Sequence, residues 1–166
     1  MDLSAFLIEN KGDLVVDRRK GQGRLAVASR PLSTLYEIVV RERPALIWRS
    51  DDFCQFLLQF RAAGKGVQDA ILDMYHPPLD GSGSDSDSSD SSGVAGLREG
   101  ARELASMRIL EEPHQNDPRF IHKLLAIANT NTHEYYGARH SGTSMSALFL
   151  FGSKINHSCH PNMTYT

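Results

Sequence analysis

The chain has 166 residues, 40% of them hydrophobic and 23% charged, and a net charge of −2. That is enough length to bury a core within one globular domain, and it leaves no basic surplus of the kind that drives direct nucleic-acid binding. Two cysteines distant in sequence, Cys54 and Cys159, make no disulfide framework and fit a reducing compartment. With no run of about 18 apolar residues there is no candidate membrane span, and the opening MDLSAFLIENKGDLVV lacks the apolar core of a signal peptide. A soluble intracellular protein of the cytoplasm or nucleus is the expectation.

In chain order, DLVVDRR and RLAVASR are aliphatic runs bounded by glycines and predict strands. YEIVVRERPALIW predicts another strand, closed by Pro44. The period then changes. In SDDFCQFLLQFRAAG the residues Phe53, Phe56, Leu57 and Phe60 recur at helical spacing, with Ser50 or Asp51 as cap and Gly64 as stop. GVQDAILDMYH predicts a second helix. HPPLD introduces a stiff, non-helical entry at Pro77 and Pro78, and DGSGSDSDSSDSSG, residues 80–93, offers no apolar side chain to bury while its acids repel one another. A disordered Ser/Asp linker is expected there, read as a solvated tether rather than as a site of acid-directed phosphorylation.

Beyond it, GLREGARELASMRIL predicts a helix with Leu97, Leu104, Met107 and Ile109 or Leu110 inward. DPRFIHKLLAIANTNTHEYY predicts another, capped by Asp117 with Pro118 in the first turn and a buried stripe of Phe120, Ile121, Leu124, Leu125 and Ile127. SALFLFGSKI returns to a short apolar strand. Strands, helices, linker, helices, strand: the class is α+β, without the alternation of a parallel sheet.

Three stretches carry possible chemistry. GQGRLA, Gly21–Ala26, has the spaced glycines of a dinucleotide loop but strand-like residues where a helix should open, so a tight glycine turn between strands fits better. THEYYG lacks the second histidine of a zinc-protease pair, since Gly137 stands at that position. NHSCHPN, Asn156–Asn162, holds His157, Cys159 and His160 too tightly for a complete zinc site, though one ligand to a site completed elsewhere stays open. A thiol nucleophile at Cys159 and a plain polar turn are its other readings.

NHSCHPN preceded by LFLFGSKI resembles the Asn-His-Ser-Cys-x-Pro-Asn motif of SET-domain protein lysine methyltransferases. The flanks are most similar to the SET-and-MYND-type and related branches, in which an insert splits the domain. KGQGRLAVASRPLSTLYEIVVRERP resembles the opening of such domains, and ANTNTHEY their Asn-x-aromatic or Asn-x-His segment. The three motifs stand in the family's order between Lys20 and Asn162. The resemblance implies β-clip-like SET sheets with an inserted helical region: 1–49 as N-terminal SET strands, 50–79 as helical insert, 80–93 as linker, and 94–166 as the I-SET-type helices and the heptad. It also implies a pseudoknot near the heptad.

The implied cofactor is S-adenosyl-L-methionine and the implied partner a protein presenting a lysine, histone or non-histone. Carried over by position, Lys20, Gly21, Gln22 and Gly23 approach the methionine part of the cofactor. Asn131, chosen over Asn129, meets its amino or carboxyl end, and Asn156 and His157 hold the remainder. The family's catalytic tyrosine is expected downstream of Thr166, Tyr165 coming too early, so the chain is expected to be an incomplete SET domain. Cys159 is expected to bind zinc only where a post-SET cysteine cluster follows; the MYND finger is missing. Two alternatives accompany this reading: a non-catalytic SET-derived interaction module, and a Cys-His hydrolase acting through Cys159.

Overall fold

The computed structural model describes residues 7–10, 14–19, 23–32, 40–79, 91–135 and 144–154. The chain divides into two compact units. The first joins Met1–Arg43 to Phe149–Thr166, and the second is Pro44–Leu148.

In the first unit, β1 (Leu7–Asn10) pairs antiparallel with β4 (Val40–Glu42), with an irregularity between Leu7 and Glu9. β2 (Leu14–Arg19) and β3 (Gly23–Ala28) form an antiparallel pair running from Leu14–Ala28 to Arg19–Gly23. The ladder closes on the Arg19–Gly23 pair. Leu14 is buried, while Val15 and Val16 are each 45% exposed.

The second unit has a three-stranded antiparallel sheet in the order β5 (Leu46–Arg49), β7 (Met145–Leu148), β6 (Thr132–Tyr135). All four residues of the central strand β7 are buried, as expected of a strand paired on both edges within a core. α1 (Phe53–Ala62) packs on β5. Its Gln59 amide accepts the Ile47 N–H at 2.9 Å and donates to the Ile47 carbonyl, so one side chain satisfies both backbone groups of a strand residue that the sheet leaves open. Trp48 and Phe56 meet with ring centroids 4.8 Å apart, both almost fully buried. α2 (Lys65–Leu72) follows at once, and α3 (Ser91–Ser106) packs along α4 (Pro118–Asn131). The core centres on Phe56, Leu57, Ile71, Ile121, Leu124, Leu125, Ile127 and Leu148.

The α+β class is what the sequence predicts, with several differences in detail. β1 had no predicted counterpart. The part of this predicted strand that is described, from Val40 onward, forms two strands, β4 and β5, because Pro44 cannot donate to a ladder and the unit boundary falls there. The cap of α1 is Asp52, whose carboxylate accepts the Gln55 N–H at 2.9 Å, rather than Ser50 or Asp51. Gly64 heads α2, and Ala63 ends α1. α3 begins at Ser91, so the last three residues of the 80–93 segment are helical; Asp80–Asp90 lie outside the described residues. α3 also stops at Ser106, leaving Met107, Ile109 and Leu110 beyond it, with Met107 50% exposed and Leu110 buried.

Asp117 does cap α4, its carboxylate receiving the Arg119 and Phe120 N–H groups. The helix ends at Asn131 instead of running to Tyr136. The edge of β7 offers Thr132–Tyr135 a ladder, and the Thr132 hydroxyl closes the helix by donating to the Ala128 carbonyl. Of the predicted α4 stripe, Ile121, Leu124, Leu125 and Ile127 are buried and Phe120 is half-buried.

Candidate functional site

In the first unit, the described residues next to the heptad form a tight turn held by one carboxylate. Glu42, at the end of β4, accepts the Phe151 N–H at 2.7 Å on Oε1 and the Gly152 N–H at 2.8 Å on Oε2. Gly152–Lys154 is a short helical turn. Within it Ser153 N–H reaches the Phe149 carbonyl at 3.3 Å, and Lys154 N–H reaches that of Phe151 at 2.9 Å. The Lys154 ammonium donates to the Leu150 carbonyl. Gly152 fits closely here, since a Cβ there would lie a tight 3.1 Å from Phe149 Cβ and an ordinary 3.6 Å from Glu42 Oε2.

Charge-assisted bonds from two successive amides are stronger than neutral ones. Burial nevertheless dominates at Glu42 and lifts its carboxyl above the ordinary 4.5, against the lowering effect of the backbone donors and of Lys154. This anchor was not singled out from the sequence. Its signal is a lone acid closing an aliphatic run, Val39-Val40-Arg41-Glu42.

β3, which opens at Gly23, runs beside the Gly152–Lys154 turn. The strand leaving the glycine connection and the segment entering the heptad are therefore neighbours within one unit. Lys20, Gly21, Gln22, Asn156, His157 and Cys159 lie outside the described residues. Gly23 pairs with Arg19 at the end of the hairpin ladder.

Asn131 belongs to the second unit, at the last position of α4, and is buried. Its side-chain nitrogen donates to the Tyr75 carbonyl and to the Ile127 carbonyl, each at 2.8 Å. Two carbonyl acceptors fix which end of the amide is the NH₂, and both of its hydrogens are committed. Only Oδ1 is left to meet a ligand, and it can do so only as an acceptor. His133, one residue into β6, is half-buried, and burial pushes its imidazole below 6.5.

Among the described residues, no three His, Cys, Asp or Glu side chains stand together in a way that could hold a metal ion. No helix among them is long and apolar enough to cross a membrane. No protein family, curated protein or solved structure matches the chain.

Proposed function

We propose that the chain is part of a SET-type protein lysine N-methyltransferase that uses S-adenosyl-L-methionine, with the glycine connection and the heptad as its cofactor wall. The adjacency of β3 and the Gly152–Lys154 turn carries the reading. It sets the strand that follows the glycine connection beside the turn that precedes the heptad, which supports a shared site although most of the sequence separates them.

S-adenosyl-L-methionine would supply an electrophilic methyl group on a sulfonium centre. The chain's own residues divide the work of holding it. Gly21 and Gly23 leave a backbone that a ligand can approach without meeting a side chain. Asn131, in the second unit, has both amide hydrogens on Tyr75 and Ile127, so it could meet the amino end of such a ligand only as an acceptor. Asn156 and His157 supply the remaining contacts. Glu42 keeps the turn before them in register.

The acceptor lysine must lose its proton before attack, since a free ammonium has a pKa of about 10.4. A neighbouring sulfonium charge favours that loss. Alignment of amine, methyl and sulfur in a water-poor site supplies most of the acceleration. The tyrosine that the family uses in this step is proposed to lie beyond Thr166, and Cys159 to join zinc only with cysteines from such a continuation.

Calorimetric titration of S-adenosyl-L-methionine into the full-length gene product tests the reading. Saturable binding is expected, weakened about tenfold or more in Asn156→Ala, a loss of at least about 1.4 kcal/mol. An affinity indifferent to that change, or no binding at all, removes the assignment.

A further inference from the structure

The second unit contains a groove unrelated to any residue assigned above. It runs between the start of α1 and the face of α3 and has a volume of about 310 Å³. Its floor is apolar, with Leu97, Leu104 and Met107 from α3 and the residue after it, and Leu125 from α4. Cys54 Sγ stands 3.7 Å from Met107 Sδ, so two polarizable sulfurs line one end. Three acids, Asp51, Asp52 and Glu103, border the groove, and no Lys, Arg or His lines it.

Gly96 and Gly100, one turn apart on α3, open the middle. A Cβ built on either meets no atom within 4 Å. A helix interior normally disfavours glycine by about 1 kcal/mol relative to alanine, and neither packing nor a close approach among the described residues compensates at these two positions. Their effect is to leave room for something to lie against the helix.

We infer that this α1–α3 groove docks a short basic peptide segment of a partner protein that carries an aliphatic anchor residue. Charge complementarity selects the occupant. The charged residues that line it are all acids: Asp51 is shared with Arg49 at 3.1 Å, Asp52 caps α1, and Glu103 is exposed on α3. The chain's own neighbouring run, Asp80–Asp90, carries four aspartates and no basic residue, so its charge opposes that of the groove. The volume lies at the bottom of the range for small-molecule sites, which run from about 300 to 1,000 Å³. It suits one or two side chains of a peptide whose remaining residues stay in solvent. Basic residues over the acids and an aliphatic side chain over Leu97 and Met107 satisfy both kinds of surface at once.

The test uses fluorescence polarization of a dye-labelled peptide, Lys-Leu-Arg-Lys-Leu-Arg, on the full chain, against the same peptide with every Lys and Arg replaced by Glu. Saturable binding of the basic peptide alone is expected, weakening as salt rises. Gly100→Leu fills the groove and is expected to weaken binding at least tenfold. Glu103→Lys puts a cation among the border acids at an exposed position and is expected to weaken binding at least fivefold. Circular dichroism confirms that each variant is folded, and Gly100→Ala, which adds only a methyl, is the milder variant should leucine prove disruptive. No binding, equal binding of the acidic peptide, or indifference to both Gly100→Leu and Glu103→Lys overturns the proposal. Repeating the titration in Asn156→Ala separates it from the methyltransferase reading: peptide binding is expected to be unchanged there, so each idea can fail alone.

Discussion

Glu42 shows how much one side chain can organise. Its two oxygens satisfy two successive amides of a turn 109 and 110 positions away in sequence. Glu42→Gln replaces one acceptor with a donor facing an N–H, leaving a part-buried group unpaired at a cost of about 1–3 kcal/mol. A drop of that size in urea denaturation is expected, with faster hydrogen exchange at the Phe151 and Gly152 amides. Because burial raises this carboxyl above 4.5, the folded chain holds its proton more tightly than the unfolded chain does. Its contribution to stability is therefore greatest at acid pH and falls as pH rises from 4.5 through the folded value; in Glu42→Gln that component is absent.

Two glycines make the complementary point. Gly152→Ala brings a Cβ to 3.1 Å from Phe149 Cβ and is expected to destabilise, whereas Gly100→Ala meets open space in a helix and is expected to stabilise by about 1 kcal/mol. Thermal melts of the pair, shifting in opposite directions, check both.

At the scale of elements, α4 was the most readable. An aspartate, a proline and an apolar stripe announce its start and its buried face, and Asp117 receives two amides as such a cap should. Asp117→Ala is expected to cost about 1 kcal/mol by chemical denaturation. Leu124→Ala, in the middle of the stripe and fully buried, is expected to cost about 2–5 kcal/mol because the close-packed neighbours cannot collapse into the space. The end of α4 was less readable. Thr132–Tyr135 carries no local signal strong enough to separate it from the preceding helix. It becomes a strand because β7 stands beside it with an edge to pair, and that edge comes from residues later in the chain. The division of β4 from β5 is similar: Pro44 marks a break, but only the two sheets reveal that the halves belong to different units.

For the molecule as a whole, pH reports on the second unit through its histidines. His122 is buried, and burial, with Arg98 and His76 adding like charge, pushes its imidazole below 6.5; burial does the same at His133. Burial disfavours the charged form of both. The stability this implies is present above 6.5 and is lost as pH falls from 6.5 through the lowered folded values. Denaturation midpoints are therefore expected to fall between pH 7 and pH 5, with a shallower decline in His122→Asn. A pH-independent midpoint over that interval would contradict the burial of these rings.

The sequence by itself determined the α+β class, the helix positions and the core stripe of α4, because periodicity and capping act over a few residues and are written locally. It also supplied the candidate cofactor residues, of which Gly23 and Asn131 are the two that the described structure includes. Only the tertiary structure decided that Asn131 spends both amide hydrogens on Tyr75 and Ile127, that Glu42 anchors a turn more than a hundred residues away, and that two helices leave an acidic groove between them. Each of these depends on which distant backbone a polar group meets once the apolar faces have packed, and no window of neighbouring residues contains that information.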